Sequence, residues 1–144
     1  MRFGSVEASV LWPPPTESIN APSRNNDSVV IRLQFGERAL LLTGDIETGA
    51  ENALVRAPTD LHVDVVKVAH HGSKTSSTEK FVASARPSVA IISVGQTSVF
   101  GHPHKEVVER WKASGAEVLT TGACGTITVT TDGRELKIER FVNR

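Results

Sequence analysis

The chain has 144 residues, 39% of them apolar, with 16 basic and 16 acidic side chains and a formal net charge of zero. That is enough apolar material for one core, and the mixed charge excludes a disordered, strongly charged tail. A neutral chain also excludes a broadly basic nucleic-acid surface, though not a local phosphate site built around a metal.

No apolar run approaches the roughly 18 residues a membrane helix requires. The opening residues lack the apolar stretch of a signal peptide. A single cysteine, Cys124, excludes an internal disulfide and any CxxC site. Residues 6–11 predict a strand that Pro13-Pro14-Pro15 stops. Residues 16–27, rich in Pro, Ser and Asn, predict a loop, with Asn26 and Asp27 in an Asx-turn. Trp12 is expected to pack rather than to stack on a substrate.

Residues 28–35 alternate in polarity, and 39–43 form a short apolar run after the turn Gly36-Glu37-Arg38. Together they predict a β-hairpin. Residues 46–55 predict a helix, with Glu47 and Glu51 near its positive end. Residues 63–69 predict a buried strand broken only by Asp64 and Lys67. Residues 78–85 predict a helix capped by Thr78. Residues 89–94 predict another buried strand, 96–103 a loop, and 104–114 a helix that Gly115 stops. The close predicts three strands, at Glu117–Thr120, 126–131 and 136–141, with Asp132-Gly133 turning the last pair. A hairpin followed by strand–helix alternation is the pattern of an α/β fold with a mixed sheet.

Chemistry concentrates at strand ends. Asp45 follows the strand at 39–43, His70 and His71 follow 63–69, and His102 and His104 follow 89–94. Open α/β sheets gather ligands beyond the carboxyl ends of their strands. Imidazole and carboxylate are ligands for zinc and suit manganese. A metal pair polarises a phosphoryl oxygen and generates hydroxide near neutral pH. Gly72 lets backbone approach a bound group. Ser73, Thr75, Ser76 and Ser77 offer hydroxyls to a phosphate or to the ligands. Each feature also has a plainer reading: Asp45 as a helix N-cap, His70-His71 as a polar loop, and His102-Pro103-His104 as a turn into a helix. His62 reads as a surface residue.

Taken together, LLTGDIE (41–47), VVKVAHHGSKTSS (65–77), AIISVG (90–95) and FGHPHKEVVERW (100–111) resemble the C-terminal part of the metallo-β-lactamase domain of ComEC-type competence proteins. VLWPPP followed by NNDSVVIRL fits the same pattern, so the resemblance covers nearly the whole chain. It implies an αββα sandwich, of which residues 1–144 are the C-terminal half, and a two-metal hydrolytic site using zinc or manganese. It further implies a nuclease that degrades one DNA strand during uptake. The parent would sit in the cytoplasmic membrane beside its channel, with this domain on the outer, periplasmic or extracellular, side.

Carried over by position, Asp45 matches the bridging carboxylate. His71 is the favoured metal ligand, with His70 facing the substrate phosphate or supporting the ligands, and the reverse assignment stays open. His102 is a candidate phosphate contact or proton donor; His104 and Ser73 are candidate substrate contacts. The family's HxHxDH motif is absent, since the first histidine is His62. The chain is therefore expected to be inactive alone, to need the missing N-terminal half, and to self-associate through uncovered core surface. Two other readings fit the same residues. One is a hydrolase of this fold acting on another phosphoester; the other is a degenerate module without catalysis.

Overall fold

Short β-branched and leucine-rich runs line up side by side in the computed structural model, which describes residues 1–15 and 24–142. The strands are β1 (Arg2–Phe3), β2 (Val6–Trp12), β3 (Val30–Phe35), β4 (Arg38–Leu42), β5 (Val65–Lys67), β6 (Val89–Ile92) and β7 (Glu117–Thr120). They form one seven-stranded sheet in sequence order. Pairing is antiparallel from β1 to β4 and parallel from β4 to β7. The parallel crossovers carry α1 (Thr48–Arg56), α2 (Glu79–Ala85) and α3 (Lys105–Ala113). A short helix, α4 (Thr121–Cys124), leads to the hairpin of β8 (Ile127–Thr131) and β9 (Leu136–Arg140). The architecture is α/β, with a mixed sheet flanked by helices, and is compatible with an αββα sandwich.

The near-continuous apolar strands are explained by burial on both faces. Leu41, Val66 and Ala90 lie in register and pack with Leu54, Phe81, Val107 and Trp111 of the helices. The adjacent row, Leu40, Val65 and Val89, faces the other way and packs against Ile127, Val129, Leu136 and Ile138 of the hairpin. The hairpin tip is fixed by close approach of two turns. Glu37 N donates to Gly133 O at 2.7 Å, and a side chain on Gly36 would collide with that oxygen. Farther along this face the hairpin stops. Val10 and Leu42, which flank Ile31 in one cross-strand row, remain 51% and 40% exposed.

Several boundaries differ from expectation. The strand predicted at 63–69 is assigned only over Val65–Lys67; Val63, Val68 and Ala69 are buried beyond its ends, with Val68 N still donating to Ile91 O of β6 at 2.8 Å. The helix predicted at 46–55 starts at Thr48. Asn26 is no mere turn residue: its Oδ1 accepts from Glu47 N at 2.9 Å and Ala50 N at 3.2 Å, capping α1 from a distant segment. Thr78 caps α2 as expected, accepting from Phe81 N. Trp12 packs against the core, and its indole N–H donates to Asn26 O. The predicted loop at 16–27 lies partly outside the described residues, which resume at Arg24.

Candidate functional site

Because β4, β5 and β6 run parallel, their carboxyl ends open on one edge. After β4, buried Thr43 donates its hydroxyl to Lys67 O at 2.6 Å, tying the two strand ends. Gly44 (φ +56) then turns the chain so tightly that a Cβ would sit 2.7 Å from Ser28 Cβ. Its carbonyl accepts from His70 N at 3.2 Å and Lys67 Nζ at 3.0 Å. After β5, His70 (φ 48), His71 (φ 55) and Gly72 (φ 80) are consecutive left-handed residues. A non-glycine residue there costs about 1–2 kcal/mol, and such strain clusters at functional sites. The turn it creates swings both imidazoles off the strand. Gly72 O then accepts from His104 N at 3.0 Å, joining the turn to the loop after β6.

The side chains converge on this edge. His71 Nδ1 donates to Ser93 O at 2.6 Å, a carbonyl that can only accept. In the neutral ring this leaves Nε2 with its lone pair free, 3.7 Å from Asp45 Oδ1. A ring nitrogen anchored to a carbonyl while the other stays bare is the arrangement metal-binding histidines use. Lys67 Nζ is 3.5 Å from the same Asp45 oxygen.

His70 turns elsewhere. Its Nδ1 is 3.3 Å from Glu47 Oε1, but out of line for a hydrogen bond, so this buried nitrogen has no hydrogen-bond partner among the described residues. Glu47 Oε1 accepts from Thr75 Oγ1 at 2.8 Å. The His102 ring lies 5.8 Å from that of His70 and 5.2 Å from that of His104, between centroids. Burial, followed by the neighbouring charges of His104, His70 and His71, pushes the His102 pKa below its ordinary value. His102 is therefore a neutral imidazole at neutral pH, and its buried Nδ1 is likewise without a hydrogen-bond partner.

The edge thus gathers Asp45, His70, His71, His102 and His104. Ser73 is placed differently: it is 5% exposed, and its hydroxyl meets Thr75 Oγ1 at 3.0 Å within the loop. The hydroxyls of Ser76 and Ser77 also serve the loop, Ser76 donating to Ala69 O and Ser77 accepting from Trp111 Nε1. Lys67 and Glu47 are the site residues sequence reasoning assigned elsewhere, one to a break in a strand and the other to a helix terminus. Among the described residues no group of three or more His, Cys, Asp or Glu side chains is arranged to hold a metal ion. Asp45 and His71 fit one edge of a coordination shell, with oxygen and nitrogen donors suited to zinc or manganese.

Over 127 residues, 88% of the chain, it is 37% identical to ComE operon protein 3 of Bacillus subtilis. It is 39% identical to Recombination protein 2 of Haemophilus influenzae over 81% of the chain, and 36% identical to Competence protein ComA of Neisseria gonorrhoeae over 88%. The chain is a member of the ComEC-type competence proteins. It spans 16%, 14% and 18% of the lengths of these three ComEC-type relatives. No family model matches. No helix among the described residues is long and apolar enough to cross a membrane.

Proposed function

We propose that this segment is the C-terminal portion of a metal-dependent phosphodiesterase domain of ComEC type, degrading one DNA strand during uptake. The reading rests above all on the bare Nε2 of His71 facing Asp45 Oδ1 at 3.7 Å. Asp45 and His71 would hold metal, Asp45 in the bridging role, while His70 beside Glu47 supports the ligand set or joins it. Divalent metal, if held by these residues, would provide Lewis-acid chemistry for a water and the phosphoryl oxygen. His102 contacts the phosphate, its neutral ring offering one N–H as a hydrogen-bond donor, and His104 borders it. The remaining donors come from an N-terminal half outside this chain. The parent lies in the cytoplasmic membrane with its channel, and this domain faces outward to meet incoming DNA.

The test is hydrolysis of end-labelled single-stranded DNA with zinc or manganese. The chain alone is expected to be inactive, and activity to appear when it is joined to the upstream part of a ComEC-type domain. Asp45→Asn or His71→Ala in that joined protein lowers the rate by about a hundredfold or more. Undiminished hydrolysis in both variants would remove these residues from the centre.

The bare row at Val10 and Leu42 also makes the isolated chain prone to self-association. Sedimentation velocity is expected to show concentration-dependent oligomers. Val10→Lys with Leu42→Lys should return the chain to a monomer; an unchanged distribution would place the contact elsewhere.

A further inference from the structure

Beside the histidines lies a cleft of about 770 Å³ that the reaction, as read above, leaves without a task. Its wall begins at His71 and His102 and continues through the loop that carries Val99 and Phe100. Phe100 is 76% exposed and Val99 92%; Phe3 and Phe141 are exposed too, but neither lines this cleft. The loop is held in place from both sides. Gly101 N donates to Ser98 O at 3.1 Å, and His102 N donates to Ser98 Oγ at 3.2 Å. The far wall is equally fixed. Thr121 Oγ1 accepts from Val94 N at 2.8 Å and donates to Val94 O at 2.9 Å. Gly122 sits so close to the Gly95–Gln96 backbone that a Cβ would lie 2.8 Å from Gln96 N.

Phe100 lies nearly parallel to His102, with centroids 6.0 Å apart and planes at 29°. An aromatic ring is thus held at the rim, in line with the histidines that face the phosphate. Apart from the histidines, the described lining is neutral: hydroxyls of Thr97, Ser98 and Thr121, backbone, and apolar surface, with no carboxylate, ammonium or guanidinium. That surface suits an uncharged, flat, hydrogen-bonding group attached to a phosphodiester.

We propose that Phe100 is a base-stacking platform, and that the cleft beside His71 and His102 receives the nucleobase next to the reacting phosphate. The inference rests on the phosphodiesterase reading and adds a binding residue to it. A base within a duplex has both faces covered, so the platform takes its base from a single strand. Stacking tolerates any base and is strongest for purines.

The experiment measures binding of the 144-residue chain to a fluorescent oligo-dA and to an abasic oligophosphate of equal length, by anisotropy. Wild type is expected to bind oligo-dA about tenfold more tightly than the abasic strand. Phe100→Ala erases that difference and leaves abasic binding unchanged. Phe100→Trp retains it, and the new indole is quenched by oligo-dA but not by the abasic strand. Because Phe100 is exposed, circular dichroism should show all three proteins equally folded. Equal binding of both strands by wild type overturns the proposal, as does equal loss on both strands in Phe100→Ala. Asp45→Asn separates this proposal from the catalytic reading: it lowers hydrolysis in the joined protein by about a hundredfold or more, whereas the base-dependent increment in the chain survives.

Discussion

Replacing Glu51 with glutamine is expected to destabilise the fold by about 3 kcal/mol, because a buried N–H left without its acceptor costs roughly 1–3 kcal/mol. Glu51 is fully buried on the inner face of α1. One of its oxygens accepts from Ser77 N at 2.5 Å and the other from Thr78 N at 2.7 Å. Glutamine keeps one acceptor and aims an NH₂ at the other donor. The midpoint of thermal unfolding should fall by roughly 10 °C for a chain of this size. Glu79→Gln, at an exposed position, should change stability by less than about 0.5 kcal/mol. A wild-type midpoint for Glu51→Gln would mean that the two bonds contribute nothing.

The same residue gives stability a pH dependence. Burial raises the Glu51 pKa above 4.5, against the lowering influence of the Thr78 and Ser77 hydrogen bonds and of Arg110. Between 4.5 and the raised value, the folded chain keeps a proton that the unfolded chain has lost. Stability from this source is therefore full below 4.5 and is lost as pH rises through the folded pKa. Urea midpoints taken across that range should fall with pH more steeply in wild type than in Glu51→Gln. The consequence reaches the site, since Ser77 and Thr78 end the loop that begins at the paired histidines.

Gly72→Ala is the second large effect, a loss of about 3 kcal/mol from combined strain and overpacking. Gly72 has φ +80, and a Cβ there would stand 2.7 Å from Pro103 Cβ and 3.2 Å from the Pro103 backbone. Relief requires the turn at His70-His71 to part from the His102–His104 loop. Chemical denaturation gives the energy, and the imidazole resonances give the geometry. Those of His70, His71 and His102 should all shift in Gly72→Ala, whereas that of His62 should not. Wild-type stability with unmoved resonances would show that the two loops do not depend on this contact.

Much of this was legible from local pattern. The apolar runs of β4, β5 and β6 announce strands buried on both faces, and the histidines and Asp45 fall where parallel strands end. What escaped depends on partners distant in the chain. Asn26 looks like a turn residue, yet it caps a helix that begins more than twenty positions later. Glu51 looks like a charge near a helix terminus, but its acceptors' partners lie 26 and 27 residues away. The strand predicted to run through Ala69 stops early because the left-handed turn begins at His70, and no propensity calls for two histidines in that conformation. Ser73 offers a hydroxyl at the right place in sequence, and only the fold shows that hydroxyl turned inward.

Lys67 lies in the cross-strand row of Ile31, Leu42, Ile91 and Leu119, an apolar setting for an ammonium group. Its reach to Gly44 O and Asp45 Oδ1 gives the carboxylate a resident counter-ion. Here the negative charge at the strand edge is already partly offset by Lys67. A divalent ion arriving at Asp45 would enter by exchange, moving Lys67 aside, and would alter the local charge by less than its full two units.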